Sequence, residues 1–109
     1  MISDEQVDAT LAYLRDSAPK AAVARSHSKT LDKYVVVVEG RLKMLATQDG
    51  MGQGASQDWA RSSDEYRKAL DAWQEAIRQD AEFTMLREAA SSRIEAWRTW
   101  CSNERAGRI

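Results

Sequence analysis

The sequence predicts an all-α protein: an elongated helical hairpin or bundle with a long C-terminal helix, assembling as an oligomer. Three observations predict it. Leu31, Val35, Val38, Leu42 and Leu45 recur at spacings of 4, 3, 4 and 3, which places them on one face of a helix. Residues 63–104 contain neither proline nor glycine and are rich in Ala, Arg, Glu and Gln, the composition of a long uninterrupted helix. Between these segments, Asp49 to Gly54 carries three glycines in five residues, and their backbone entropy forces a turn. At 109 residues the chain has room for a single helical domain.

The first helix is expected over residues 3–17. Ser3 is a good N-cap and Gln6 completes a capping box three residues later, with Ile2 and Val7 placed as a hydrophobic staple. Val7, Leu11 and Leu14 then form a narrow apolar stripe. Pro19, the one proline, closes this helix and opens the next.

The second helix is expected over 19–47 and meets one conflict. Tyr34-Val35-Val36-Val37-Val38 has strong strand propensity, because β-branched side chains are stiff at χ1. The 4-3-4-3 spacing covers a longer window, and Ala24 extends it one heptad upstream of Leu31. Periodicity reports burial and propensity is a weak prior, so the segment reads as helix and carries Gly40 at a cost of roughly 1 kcal/mol. Leu31, Val35, Val38 and Leu42 are then core or oligomer anchors.

A loop over 49–55 follows, then a short helix over 56–61 with Ser56 as its cap. Either Ser62 with Glu65, or Ser63 with Asp64 and Glu65, opens the last helix over 63–104. Its stripe changes phase. Tyr66, Leu70, Trp73 and Ile77 define one face, while Leu86, Ala90, Ile94, Trp97 and Cys101 define another about a third of a turn away. The expectation is a kink near Asp80–Phe83 or a different neighbour for each half. Trp73 and Trp97 are further anchors, and Trp59 and Trp100 lie off the stripes as candidates for a partner surface. More apolar surface is implied than one such chain can cover, and self-association would cover it.

Composition narrows the function classes. No stretch approaches 18 apolar residues in a row, so no membrane span is expected, and the acidic opening (Asp4, Glu5, Asp8) is unlike a secretory leader. One cysteine, Cys101, predicts a reducing cytoplasmic setting without a disulfide. One histidine, His27, completes no metal-ligand spacing with it, so no metal or other cofactor is expected. His27 falls beside the core stripe, and Cys101 is expected to be a buried, inert thiol. The glycine cluster lacks both the G-x-G-x-x-G and the G-x-x-x-x-G-K-[ST] spacing, and no nucleophile–base pair stands out. An enzyme is not expected.

Charge is patterned rather than uniform. Residues 1–16 carry −3, residues 17–48 +4, residues 49–86 −4 and residues 87–109 +2. On the second helix Arg25, Lys29, Lys33 and Lys43 fall within roughly 80° of one another, opposite Leu31, Val38 and Leu42. On the last helix Arg87, Arg98 and Arg105 fall within about 20°. Such rows can follow a phosphate backbone while nearby tryptophans stack on unpaired bases. They are equally the solvated faces that amphipathic helices need.

Short motifs add to this. A glycine loop precedes Ser63-Asp64-Glu65-Tyr66 at the start of a helix, followed by Ile94-Glu95-Ala96-Trp97-Arg98-Thr99 and by Ser102-Asn103-Glu104-Arg105-Ala106. In these motifs, and in the order basic helix, Gly-rich turn, short helix, long C-terminal helix over about residues 20–106, the chain resembles the UvsY-type recombination mediators of tailed bacteriophages. The resemblance implies a helical, ring-forming protein that binds single-stranded DNA. It also implies a helper that loads a RecA-like recombinase onto DNA occupied by single-strand-binding protein. Arg98 and Arg105 lie inside the matching motifs. The expectation is therefore a non-catalytic phage accessory protein acting on single-stranded DNA as a homo-oligomer. The rivals are a helical adaptor or inhibitor of a host protein, with no nucleic-acid binding, and a purely structural helical oligomer.

Overall fold

The structure, a computed structural model, describes residues 2–107. Among these residues there are three helices and no strand: α1 (Asp4–Gln48), α2 (Gln53–Ser62) and α3 (Asp64–Gly107). The all-α expectation holds. The chain forms two compact units, one from residues up to 23 with those from 81 onward, the other from residues 24–80.

α1 begins as the sequence dictates. Ser3 N donates to Gln6 Oε1 at 2.8 Å, and Gln6 N donates to Ser3 Oγ at 3.2 Å, a reciprocal capping box. The expected break at residues 18–19 is absent. α1 runs 45 residues with Pro19 inside it. Pro19 has no N–H to return to the carbonyl of Arg15, a defect that costs about 3 kcal/mol in a helix interior.

Burial on both sides of the proline offsets that cost. Val7, Thr10, Ser17, Ala24, Ser28, Val35, Val38 and Leu42 are buried, with Leu14, Ala21 and Leu31 half-buried between them. These positions alternate at spacings of 3 and 4 without a slip, the seam of a helix packed lengthwise on another. Leu11, expected in the apolar stripe, is exposed, and Thr10 takes the inward position.

The valine run confirms the helical reading. Val38 is 1% exposed and Val35 is buried, whereas Val36 and Val37 are 66% and 63% exposed. A strand would have alternated them. α1 ends in a Schellman motif. Met51 N donates to the Ala46 carbonyl at 3.1 Å and Gly50 N to the Thr47 carbonyl at 3.0 Å, with Gly50 at φ 91°, where a side chain would be strained.

The loop is shorter than expected, because α2 starts at Gln53 and takes in Gly54. Gly52 caps it instead of Ser56. Ser56 is fully buried inside the helix; its hydroxyl donates to the Gly52 carbonyl at 2.6 Å and lies 3.3 Å from Thr47 Oγ1. Of the two serines that could open α3, Ser63 does so. Its hydroxyl accepts from Tyr66 N at 3.3 Å and donates to the Ala60 carbonyl at 2.7 Å. Ser62 turns back to the Trp59 carbonyl.

The expected change of phase in α3 is not found. Its inward positions are Tyr66, Ala69, Trp73, Ala76, Asp80, Phe83, Arg87, Ala90, Ile94, Trp97 and Cys101, all buried or half-buried. They alternate at spacings of 3 and 4 along the helix, while residues up to Asp80 and those from Ala81 belong to different units, the second of the two expected alternatives. Ile77 and Leu86, which suggested two faces, are 43% and 51% exposed. Alanine, aspartate and arginine hold seam positions in their place. Cys101 is half-buried rather than buried.

The unit of residues 24–80 has a core of Val35, Val38, Leu42, Ala60 and Ala69, with Tyr66 and Trp73 packed against it. Around it, Glu39 accepts from Arg61 Nε at 2.9 Å and Gln57 Nε2 at 3.5 Å, and Arg41 pairs with Glu65. In the other unit Val7, Ala90 and Ile94 are buried beside the polar Thr10 and Ser17. There Arg87 Nη1 donates to the Leu14 carbonyl at 2.7 Å and to Ser17 Oγ at 2.6 Å. These bonds brace the helical turn just before Pro19.

Candidate nucleic-acid interface

The seam of α1 decides which of its residues meet solvent. With Leu31, Val35, Val38 and Leu42 turned inward, the opposite face carries Lys29, Lys33, Val36, Gly40 and Met44, all exposed, with Lys43 half-buried beside them. By helical geometry these positions span roughly 100°. The four cations expected to align here do so along the helix, but they differ in what they touch.

Arg25 Nε lies 3.7 Å from Asp80 Oδ1. Lys29, Lys33 and Lys43 form no ion pair among the described residues. The other two lysines, Lys20 and Lys68, are equally unpaired, whereas most of the arginines have partners. Glu39, the acid of α1 nearest this face in sequence after Asp32, has its carboxylate drawn to Arg61 and Gln57 of α2. Asp32 is exposed at the edge of this face, so the face carries three unpaired lysines against one carboxylate. An unpaired ammonium on a flexible stem is a mobile point charge suited to phosphate.

The second expected row, Arg87, Arg98 and Arg105, is divided. Arg87 is half-buried and its guanidinium is held by Leu14 and Ser17. Arg98 is exposed and donates to Glu95 at 3.1 Å. Arg105 is exposed. Trp100 lies two residues from Arg98, which places it roughly 200° around the helix, so the pair does not share a surface. Sequence reasoning passed over Arg93, which shares a flank with Trp97 and Trp100 at i, i+4 and i+7.

Aromatic surface is present in the unit that carries the lysines. Tyr34, next to Lys33 in the chain, and Trp59 on α2 are both exposed. Trp73 and Leu31 are half-buried there, and Trp97 is half-buried in the other unit. His27 is exposed. Among the described residues no group of three or more His, Cys, Asp or Glu is placed to hold a metal ion. No described helix is long and apolar enough to cross a membrane.

Fold and surface together define an all-α protein whose longest helix presents a lysine-bearing face broken by apolar side chains. Comparison with protein-family models, curated proteins and solved structures finds no match for this chain.

Proposed function

We propose that the protein is a non-catalytic binder of single-stranded DNA, and that the exposed face of α1 around Lys29 and Lys33 is its contact surface. One observation carries this reading: these lysines, with Lys43, stand unpaired on one helical face. Phosphates neutralised by them would release condensed counterions to solution. Bases would rest on Val36, Val37 and Met44 and stack on exposed aromatic rings, a sequence-tolerant mode of binding.

Three lysines make a weak site. Repetition in a homo-oligomer would supply avidity. Exposed Ile77, Met85 and Leu86 offer apolar surface for that assembly. The finer role, helping to load a RecA-like recombinase on DNA covered by single-strand-binding protein in an infected bacterial cytoplasm, rests on the resemblance of residues 63–66, 94–99 and 102–106 to UvsY-type mediators.

The test is a titration with oligo-dT, read by tryptophan fluorescence, at about 50 mM and about 200 mM salt. Saturable binding that weakens steeply with salt is expected. No binding at the lower salt would remove the proposal.

A further inference from the structure

The unit formed by the two chain ends contains a groove that the DNA-binding reading does not use. Two adjoining clefts of about 400 and about 410 Å³ share Gln6 and Arg93. The first is walled by Ile2, Trp97 and Trp100, the second by Tyr13 and Leu86. We propose that this groove docks an extended peptide of a partner protein that sets an aromatic or aliphatic side chain beside a carboxylate.

Charge selects that occupant. Among the described residues Arg93 is the one charged residue lining either cleft, and it forms no ion pair with another of them. A single unpaired guanidinium between apolar walls favours an apolar ligand with one local negative charge. A nucleic-acid strand carries a charge at every nucleotide, whereas Asp4, Glu5 and Asp8 stand exposed on the same helix end and repel a polyanion.

Hydrogen-bonding groups point to peptide backbone as well. The capping box orients the Gln6 amide, since Oε1 accepts from Ser3 N at 2.8 Å. That leaves Nε2 free to donate to a carbonyl in the groove. The Tyr13 hydroxyl in the wall is out of contact with solvent and has no hydrogen-bond partner among the described residues, an unsatisfied state that a ligand relieves only if the side chains covering it part. From Gln6 to Tyr13 the groove follows α1 for about 10 Å, the reach of three extended residues. Trp97 and Trp100 supply rigid aromatic surface, as anchors of peptide sites do.

The experiment uses the full chain and a fluorescein-labelled peptide, Gly-Ser-Asp-Leu-Phe, with a terminal amide, so that Asp carries its one carboxylate. Saturable anisotropy is expected. A counterpart with Asn for Asp should bind about tenfold more weakly or worse, a comparison that leaves the protein untouched. Arg93→Gln should weaken binding of the acidic peptide by a similar factor, and Trp100→Ala should abolish it, with far-UV circular dichroism unchanged because both side chains are exposed. Lys29→Gln with Lys33→Gln should leave peptide binding unaltered, which separates this site from the DNA face. Absence of saturation, equal binding of the two peptides, indifference to Arg93→Gln, or displacement of the peptide by oligo-dT would each overturn the proposal.

Discussion

The two units are built from the same pair of long helices yet hold together by a different balance of contacts. In residues 24–80 the inward positions of α1 are filled by Val35, Val38 and Leu42, and α2 adds Ala60 beneath them. In the unit of the chain ends, α1 turns Val7, Thr10 and Ser17 inward and α3 turns Ala90 and Ile94, and Arg87 of α3 adds a guanidinium bonded to a carbonyl and a hydroxyl of α1. Aliphatic burial gives stability without direction. A buried polar contact gives little net stability but is costly to break and fixes register. Both units bury hydroxyl side chains, Ser28 and Ser56 in the first and Thr10 and Ser17 in the second, so the difference is one of degree: the first holds more aliphatic burial, and the second adds the Arg87 contact that fixes register. The proposed DNA face lies outside the seam of α1, whereas the groove borders the seam and shares Trp97 with it.

The sharpest way to break this contrast is to empty the aliphatic core. Leu42→Ala should lose about 2–5 kcal/mol by urea denaturation, whereas Leu11→Ala, exposed in the other unit, should change stability by no more than about 0.5 kcal/mol. Arg87→Met comes next, at about 1–3 kcal/mol, with faster amide exchange over residues 14–18 as its local signature. An unchanged exchange pattern would show that Arg87 does not brace the turn before Pro19.

The ends of α1 test the contrast at smaller scale. Gly50→Ala forces a side chain into a positive-φ conformation and should cost about 1–2 kcal/mol. Ser3→Ala should cost about 1 kcal/mol and fray only the first turn. The smallest effect concerns the outer face of α3. Arg78 donates to Glu75 at 2.9 and 2.6 Å, which holds the Glu75 carboxyl below the ordinary carboxylate range. The pair is exposed, so its contribution is slight. It should be present above the ordinary carboxylate pKa and vanish as pH falls through the lowered one. Carboxyl NMR titration, with Arg78→Gln returning Glu75 to its usual range, checks the sign.

How much of this was legible in the sequence varied along the chain. The helical reading of the valine run was legible because large apolar side chains fill its seam, and the Ser3–Gln6 box because capping is local chemistry. Pro19 misled for the opposite reason: a local rule was outweighed by packing on both sides of it. In α3 the seam is carried by Ala69, Ala76, Asp80, Arg87 and Ala90, which a count of large apolar residues passes over. Leu70, Ile77 and Leu86 stand beside it and suggested a change of phase that the helix does not make. The same misreading placed Arg87 in a solvent-facing row with Arg98 and Arg105. Among the candidate site residues, Lys29 and Lys33 were legible from spacing alone. Their lack of ion-pair partners was not, since Asp32, three residues along from Lys29, stands within pairing reach on the helix surface.

The central claim is that unpaired lysines on α1 contact the phosphates of single-stranded DNA. The measurement that tests it most directly is the salt dependence of oligo-dT affinity for the parent chain, for Lys29→Gln with Lys33→Gln, and for Arg98→Gln with Arg105→Gln. The account predicts that the lysine pair lowers the slope of log affinity against log salt by about 1 to 2, near 0.7 for each single-strand phosphate that is no longer neutralised, and that the arginine pair changes it less. An unchanged slope in the lysine variant, with DNA still bound, would contradict it.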